Sequence, residues 1–296
     1  PHANGALARC YSLSSAPGID AALRVTVKRV ADGRASNWIC DQLRAGSAID
    51  VLPPAGVFVP RALDGDFLLF AGGSGITPVL SIVKSVLQHG SGRATVIYAN
   101  RDERSVIFHD ALRELSARYP QRLMVLHWLD SVQGIPSAEQ LQALAAPWRD
   151  AECFICGPGP FMDGSRAALA ALGVARERIH IERFVSLEAD PTVVPVVPAA
   201  SDGAATTALE VVLDGTVHAL ECAGGESLLD AMLRAGLNAP SSCRSGSCGA
   251  CMCRLEEGEV SLRANAVLDN DDLADGWTLA CQGVPASATV RVRFPD

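Results

Sequence analysis

Three patterns of apolar and polar positions succeed one another along the chain. Apolar side chains alternate at Leu23, Val25 and Val27 within Ala22 to Val30, and Ile49-Asp50-Val51-Leu52 runs into Pro53-Pro54. The stretch up to about Leu63 is therefore expected to be β structure with short turns. Between these runs Asn37 to Leu43 is apolar at helical spacing, with Ser36 as the expected N-cap.

From Asp66 to about Phe184 strands alternate with helical stretches. Phe67 to Ala71, Ala94 to Ala99, Leu123 to Trp128, Cys153 to Cys156 and Ile179 to Glu182 read as strands. Val79 to His89, His109 to Arg118, Gln140 to Ala145 and Arg166 to Leu172 read as helices between them. Repeated β-α-β units imply a parallel sheet that binds ligands beyond the carboxyl ends of its strands. Residues 188–206, rich in Pro and Ala, read as a linker. Beyond it, Leu209 to Leu213 and Val217 to Leu220 flank Asp214-Gly215 and predict a hairpin. A short helix over Ser227 to Arg234 and a last strand over Thr289 to Phe294 complete the pattern.

At roughly 150 residues per domain, a length of 296 suggests about two domains, with three small ones possible. Hydrophobic residues at 49% and charged residues at 20% exclude disordered, collagenous and coiled-coil classes. The most apolar run, Phe67 to Val83, is broken by Gly72, Gly73, Gly75 and Pro78, so no membrane span is expected. No basic segment followed by an apolar run opens the chain, and a cytoplasmic setting is expected. Of the formal charge of −8, a net −7 lies from Thr207 onward, which argues against nucleic acid as a partner. Asp269, Asp271, Asp272 and Asp275 concentrate that charge. They read either as a solvated acidic loop or as a face steered onto a basic partner.

Ten cysteines in a cytoplasmic chain point to metal or redox use rather than disulfides. Cys243, Cys248 and Cys251 form a C-x4-C-x2-C element, and Cys281 follows after 29 residues. That is the plant-type spacing for a [2Fe–2S] cluster, with Gly246 and Gly249 letting the backbone fold around it. A zinc site is the alternative for these thiols. Cys253 is read as a non-ligand on the following strand, and Cys222 as a core thiol. Gly72-Gly73-Ser74-Gly75-Ile76-Thr77-Pro78 turns from a strand into a helix, and Cys156-Gly157-Pro158-Gly159-Pro160 does the same. Two such turns at adjacent strand ends would make a dinucleotide cleft. Arg9, Tyr11 and Ser12 suit a flavin: a fixed charge for phosphate, a ring to lie on the isoalloxazine, and a hydroxyl for its reactive edge.

Taken in order, Arg9-x-Tyr11-Ser12, Gly33-x-x-Ser36, GGSGITP, CGPGPFM and the cysteine loop resemble the ferredoxin–NADP reductase-type flavoprotein reductases with a fused plant-type ferredoxin domain. The resemblance covers essentially the whole chain. Within that family, Tyr98 to Phe108 and Leu126 to Asp130 most resemble the reductases of bacterial 3-ketosteroid 9α-hydroxylases, with phenylacetyl-CoA oxygenase reductases as near neighbours. The implied fold is multidomain. Residues 1–63 would be a partial, N-terminally incomplete flavin-binding β-barrel, 64–187 an α/β parallel-sheet NAD-binding domain, and 207–296 an α+β, β-grasp ferredoxin domain. Only eight residues precede Arg9, so the barrel is not expected to close, and FAD is expected to be held weakly.

The resemblance also implies roles. Arg9 would hold a flavin phosphate, Tyr11 stack on the flavin, Ser12 bond near its N5, and Gly33, Ala35 and Ser36 cap the pyrophosphate. Lys28, Gly73, Gly75, Pro78 and Phe184 join the cofactor contacts. Thr77 and Cys156 would flank the nicotinamide, with Gly157 and Pro158 shaping its site; Tyr11, Ser12 and Cys156 are the expected catalytic set. Cys243, Cys248, Cys251 and Cys281 would hold the cluster. Electrons would pass from NADH through FAD, with FMN the lesser candidate, to [2Fe–2S] and on to a terminal Rieske-type oxygenase. Asp102 and Glu103, placed to face the adenosine ribose, favour NADH over NADPH. A stand-alone electron-carrier ferredoxin and a zinc-binding interaction module are the competing classes.

Overall fold

A computed structural model describes residues 9–51, 53–184 and 206–295. The expected linker lies outside these residues except for Thr206. The chain forms two compact units: Tyr11–Arg44 with Phe58–Phe184 is one, and the other has residues 206–295 as its body and includes Arg9, Cys10 and the described part of Ala45–Val57.

The first unit is built on a five-stranded parallel sheet of β1 (Phe67–Gly72), β2 (Ala94–Asn100), β3 (Leu123–Leu129), β4 (Glu152–Cys156) and β5 (Ile179–Glu182), in the order β3-β2-β1-β4-β5. Strand β1 is central and apolar at nearly every position because it is buried on both faces. Phe67, Leu69 and Ala71 pack with Ile76, Val79 and Val83 of helix α2 (Ile76–His89). Leu68 and Phe70 point the other way, into a cluster with Leu141, Met162 and Leu169. The chain leaves β1 toward β2 and reaches β4 on its other side, so β1 and β4 flank the point where the strand order reverses.

Two expectations for residues 1–63 are corrected. The alternating run Ala22 to Val30 forms no ladder; among the described residues it contributes one antiparallel bridge, Leu13 to Val25. Leu23 and Val30 are exposed, as is Val51 in the second expected strand, so neither run has the buried face and hydrogen-bonded neighbour that a strand needs. Ser36 is not an N-cap. Helix α1 (Arg34–Gln42) starts earlier, with Gly33 at the cap position, and the buried Ser36 hydroxyl accepts the Val30 N–H at 3.3 Å. The segment is held to α2 instead: Ser81 Oγ donates to the Ser15 carbonyl at 2.8 Å and Lys84 Nζ meets Asp20 at 2.9 Å. The Ala16 N–H and the Lys84 ammonium keep the Asp20 carboxyl below its ordinary pKa.

In the second unit β6 (Thr207–Leu213) and β7 (Thr216–Cys222) form the expected hairpin, turned by Asp214 and Gly215 at φ of 50° and 71°. A five-stranded mixed sheet runs in the order β10-β8-β12-β6-β7, with β8 (Met252–Glu257), β10 (Trp277–Leu279) and β12 (Thr289–Arg293), while β9 (Val260–Leu262) and β11 (Gly283–Pro285) pair separately. Here β12 is parallel to β6 and antiparallel to β8. Ser227 caps the helix Leu228–Arg234 by accepting the Asp230 N–H. Leu228, Leu229, Ala231 and Met232 of that helix pack on Leu209, Val211, Val290 and Val292, which is the β-grasp arrangement. Among the described residues no helix is long and apolar enough to cross a membrane.

Candidate functional site

The two glycine turns meet at the β1/β4 end of the parallel sheet. A Cβ on Gly75 would lie 2.0 Å from the Cys156 carbonyl oxygen, one on Gly72 2.6 Å from Pro158, and one on Gly157 2.9 Å from the Gly72 backbone. The turns therefore pass backbone against backbone, and glycine is required by space as well as by the φ of 51° at Gly73. Tyr98, fully buried on β2, secures the first turn by donating to the Gly73 carbonyl at 3.1 Å. Thr77 Oγ1 donates to the Ser74 carbonyl at 2.9 Å, and Pro78 sits in the first turn of α2, where its missing N–H costs nothing. The helix Gly159–Ala171 opens directly after Pro158. Two helix N-termini thus face one another beyond β1 and β4, the arrangement that takes up a pyrophosphate.

Cys156 closes β4 and pairs in register with Glu182, the last residue of β5. The Cys156 thiol is fully buried, and burial, reinforced by the Glu182 carboxylate, pushes its pKa well above the ordinary thiol value. It is a neutral, apolar wall. Burial also raises the Glu182 carboxyl, opposed by the Ser12 hydroxyl that donates to its Oε2 at 2.7 Å. Ser12, Cys156 and Glu182 are therefore brought together, joining the segment expected to hold flavin to the edge of the dinucleotide cleft. Sequence reading passed over Glu182; its signal was a carboxylate closing the last strand of the sheet two residues before Phe184.

The remaining expected residues are spread more widely. Tyr11 is half-buried, and Lys28 is exposed with its Nζ 3.5 Å from where a Cβ of Gly73 would be. Gly33, Ala35 and Ser36 sit at the N-terminus of α1. Arg9 is half-buried, whereas Phe184 is 47% exposed and is not gathered into the cleft. Asp102, expected to face a ribose, accepts the Ser105 N–H at 2.9 Å and so caps the turn Glu103–Ser105.

In the second unit the cysteine loop is wound by Arg244, Gly246 and Gly249, with φ of 53°, 73° and 69°. A Cβ on Gly246 would stand 2.7 Å from the Ala264 carbonyl oxygen. The loop turns its N–H groups inward: Ser245 and Ser247 each donate to Cys243 Sγ at 3.4 Å, and Cys243 to Cys248 Sγ at 3.5 Å. Gln282 Nε2 clasps the Arg244 carbonyl at 2.7 Å, and the Arg244 guanidinium pairs with Asp230 at the start of the preceding helix.

The thiols come in two pairs. Cys243 lies with Cys248, and Cys251 with Cys281. Cys10, in the same unit, and Cys248 donate to Cys243 and hold its thiol well below the ordinary pKa. Cys251 and the Gly246 N–H lower Cys281. Among the described residues no three His, Cys, Asp or Glu side chains converge as ligands of a single ion. Two irons bridged by two sulfides need two terminal thiolates each, so paired thiols surrounded by N–H donors fit a [2Fe–2S] cluster. Cys253 joins neither pair: it is fully buried, its sulfur meets the Ala280 backbone rather than another thiol, and burial pushes it up to about 12. Cys222 is likewise a core thiol, pushed up to about 11 by burial.

Replacing Cys243, Cys248, Cys251 or Cys281 singly with Ser should remove or strongly destabilise the cluster, and Cys253→Ser should leave iron and sulfide content unchanged. Cluster loss in Cys253→Ser together with retention in Cys251→Ser would reverse the ligand assignment. A second expectation concerns pH. Because the Glu182 carboxyl is raised in the folded state, the unfolded chain ionises it first, so its contribution makes stability fall as pH climbs through the carboxylate range and into the raised value. Thermal unfolding of Glu182→Gln should show a shallower decline over that window; identical pH profiles would show that Glu182 titrates normally.

Comparisons with known proteins agree with both halves of this geometry. Residues 69–167 match the oxidoreductase NAD-binding domain family, and residues 211–286 match the 2Fe-2S iron-sulfur cluster binding domain family. The chain is 56% identical to the ferredoxin reductase component of 3-ketosteroid-9-alpha-monooxygenase from Mycobacterium tuberculosis, covering 99% of this chain and 81% of that protein. It is 50% identical to the protein of the same description from Rhodococcus rhodochrous, covering 98% and 83%. A component of the 1,2-phenylacetyl-CoA epoxidase from Escherichia coli is 38% identical, covering 97% and 84%. Among solved structures, full-length CYP116B46 from Tepidiphilus thermophilus superposes with a TM-score of 0.68 at 26% identity, over 96% of this chain and 35% of that one. The chain belongs to the family of ferredoxin reductase components of 3-ketosteroid-9-alpha-monooxygenases.

Proposed function

We propose that this chain is the NADH-dependent reductase that delivers electrons, by way of FAD and a [2Fe–2S] cluster, to a Rieske-type terminal oxygenase hydroxylating 3-ketosteroids at the 9α position in bacterial steroid degradation. The observation that carries the reading is the hydrogen bond from Ser12 to Glu182 beside Cys156. It joins the segment read as flavin-binding to the mouth of the dinucleotide cleft. When bound, a flavin takes two electrons from NADH together and releases them singly, as a one-electron cluster requires.

The chain's own residues supply position and environment. The N-termini of α2 and of the helix Gly159–Ala171 hold the pyrophosphate. Thr77 and the neutral Cys156 thiol flank the nicotinamide and keep water from it. Glu182 accepts a hydrogen bond from Ser12 and thereby fixes the hydroxyl that faces the flavin edge, while Tyr11 lies against the ring. The N-terminus of α1, with Gly33, Ala35 and Ser36, carries the flavin pyrophosphate. A cytoplasmic location suits a chain whose thiols must stay reduced.

The acidic C-terminal unit supplies the docking charge. Asp269 and Asp272 cap each other's backbone at the start of the helix Asn270–Ala274, so Asp271 is the better residue to test. Anaerobic addition of NADH to the protein loaded with FAD and cluster should reduce flavin and iron–sulfur absorbance and then, on mixing, the steroid oxygenase. NADPH should be the poorer donor. The last transfer should slow as salt screens it and slow at low salt in Asp271→Asn. Iron–sulfur bands without flavin would support the plain carrier, and a colourless zinc protein the interaction module. Preferential reduction of a phenylacetyl-CoA oxygenase would move the acceptor to that class.

A further inference from the structure

Asn100 is the last residue of β2 and only 5% exposed, and although its amide lies beside the Tyr98 hydroxyl, neither its Nδ2 nor its Oδ1 completes a hydrogen bond. Native interiors rarely leave both ends of an amide unmatched, since each unpaired polar atom forfeits its hydration. Thr95, the other orphan among the described residues, lies near the opposite end of the same strand. Asn100 is at the carboxyl end, one residue past the Gly72–Ala99 pair and in register with Leu129. It shares a sheet face with Tyr98, two residues earlier, whose hydroxyl accepts the Ile107 N–H at 3.1 Å while donating to Gly73. The orphaned amide is thus placed between the first glycine turn and the loop after β2, along the line of strand ends where such sheets bind ligands.

The order of the strands says which part of a dinucleotide reaches it. The turns after β1 and β4 take the pyrophosphate and the nicotinamide end. β2 lies on the side of β1 away from β4, so the adenosine half extends over β2. We propose that Asn100 is a binding and specificity residue for that half, its amide holding the vicinal hydroxyls of the adenosine ribose. A primary amide offers a donor and an acceptor side by side, and each ribose hydroxyl both gives and takes a hydrogen bond. A 2′-phosphate replaces one of those hydroxyls by a group that only accepts, so the amide loses one of its two matched partners and keeps at most the 3′-hydroxyl as a donor. Asn100 thereby selects NADH, a task the Asp102 carboxylate is less free to perform because it caps the following turn. The assignment rests on the dinucleotide reading of the cleft.

Calorimetric titration of the full-length chain with ADP-ribose, its 2′-phosphorylated form and nicotinamide mononucleotide tests it without turnover. Asn100→Ala and Asn100→Leu should weaken ADP-ribose by about tenfold and narrow its advantage over the 2′-phosphorylated form, as expected for two lost hydrogen bonds. Nicotinamide mononucleotide should bind as before. The unliganded melting temperature of Asn100→Leu should equal or exceed that of the parent, because an unpaired amide has left the interior. ADP-ribose binding within about twofold of the parent would overturn the assignment. So would a lowered melting temperature with both ligands weakened alike, which is the mark of a structural role. If the parent chain bound neither ligand, the dinucleotide reading itself would fail.

Discussion

The nucleotide-binding unit depends on how closely two backbones approach at the end of its sheet. No side chain fits between Gly75 and the Cys156 carbonyl, nor between Gly72 and the turn at Gly157 and Pro158. That contact brings two helix N-termini to one point and leaves the carboxyl ends of β1, β2, β4 and β5 open around it. Cys156, Glu182 and Asn100 all occupy those ends, and each is buried further than its chemistry would choose in isolation. Burial is what keeps the Cys156 thiol neutral and raises the Glu182 carboxyl.

The ferredoxin unit solves a different problem with similar means. Four thiolates close together repel one another, and their loop answers with inward-facing N–H groups made available by left-handed backbone at Arg244, Gly246 and Gly249. The loop is anchored from outside by the Arg244–Asp230 ion pair and by Gln282 on the Arg244 carbonyl. Cys253 shows how strongly position decides chemistry. It is two residues from Cys251, but it is fully buried on β8, where it remains a protonated hydrophobe.

Much of this was legible in the sequence because it is written in spacing. The cysteine loop, the two glycine turns and the Asp214-Gly215 hairpin are demanded by local geometry, and a local pattern records them. β1 was legible for the opposite reason, since burial on both faces leaves it uniformly apolar. The residues that escaped notice are single polar side chains at strand ends. Glu182 and Asn100 belong to no periodic pattern, and their meaning comes only from the neighbours that the sheet supplies. Alternation over Ala22 to Val30 misled in the converse sense: a strand pattern without a paired neighbour leaves Leu23 and Val25 exposed rather than building a ladder. The position of Ser36 shows the same dependence, because the α1 boundary is set by the turn from Val30 to Gly33 rather than by the best capping residue nearby.

The claim that this backbone contact builds the dinucleotide cleft is most directly tested by measuring NAD+ affinity in two alanine variants, Gly75→Ala and Gly159→Ala. Both replace a glycine beside the cleft, but a Cβ at Gly159 meets nothing within 4 Å, whereas one at Gly75 collides with the Cys156 carbonyl. Gly159→Ala should bind NAD+ as the parent does, and Gly75→Ala should lose most of its affinity while the iron–sulfur spectrum of the other unit is unchanged. Parent-like affinity in Gly75→Ala would contradict the account.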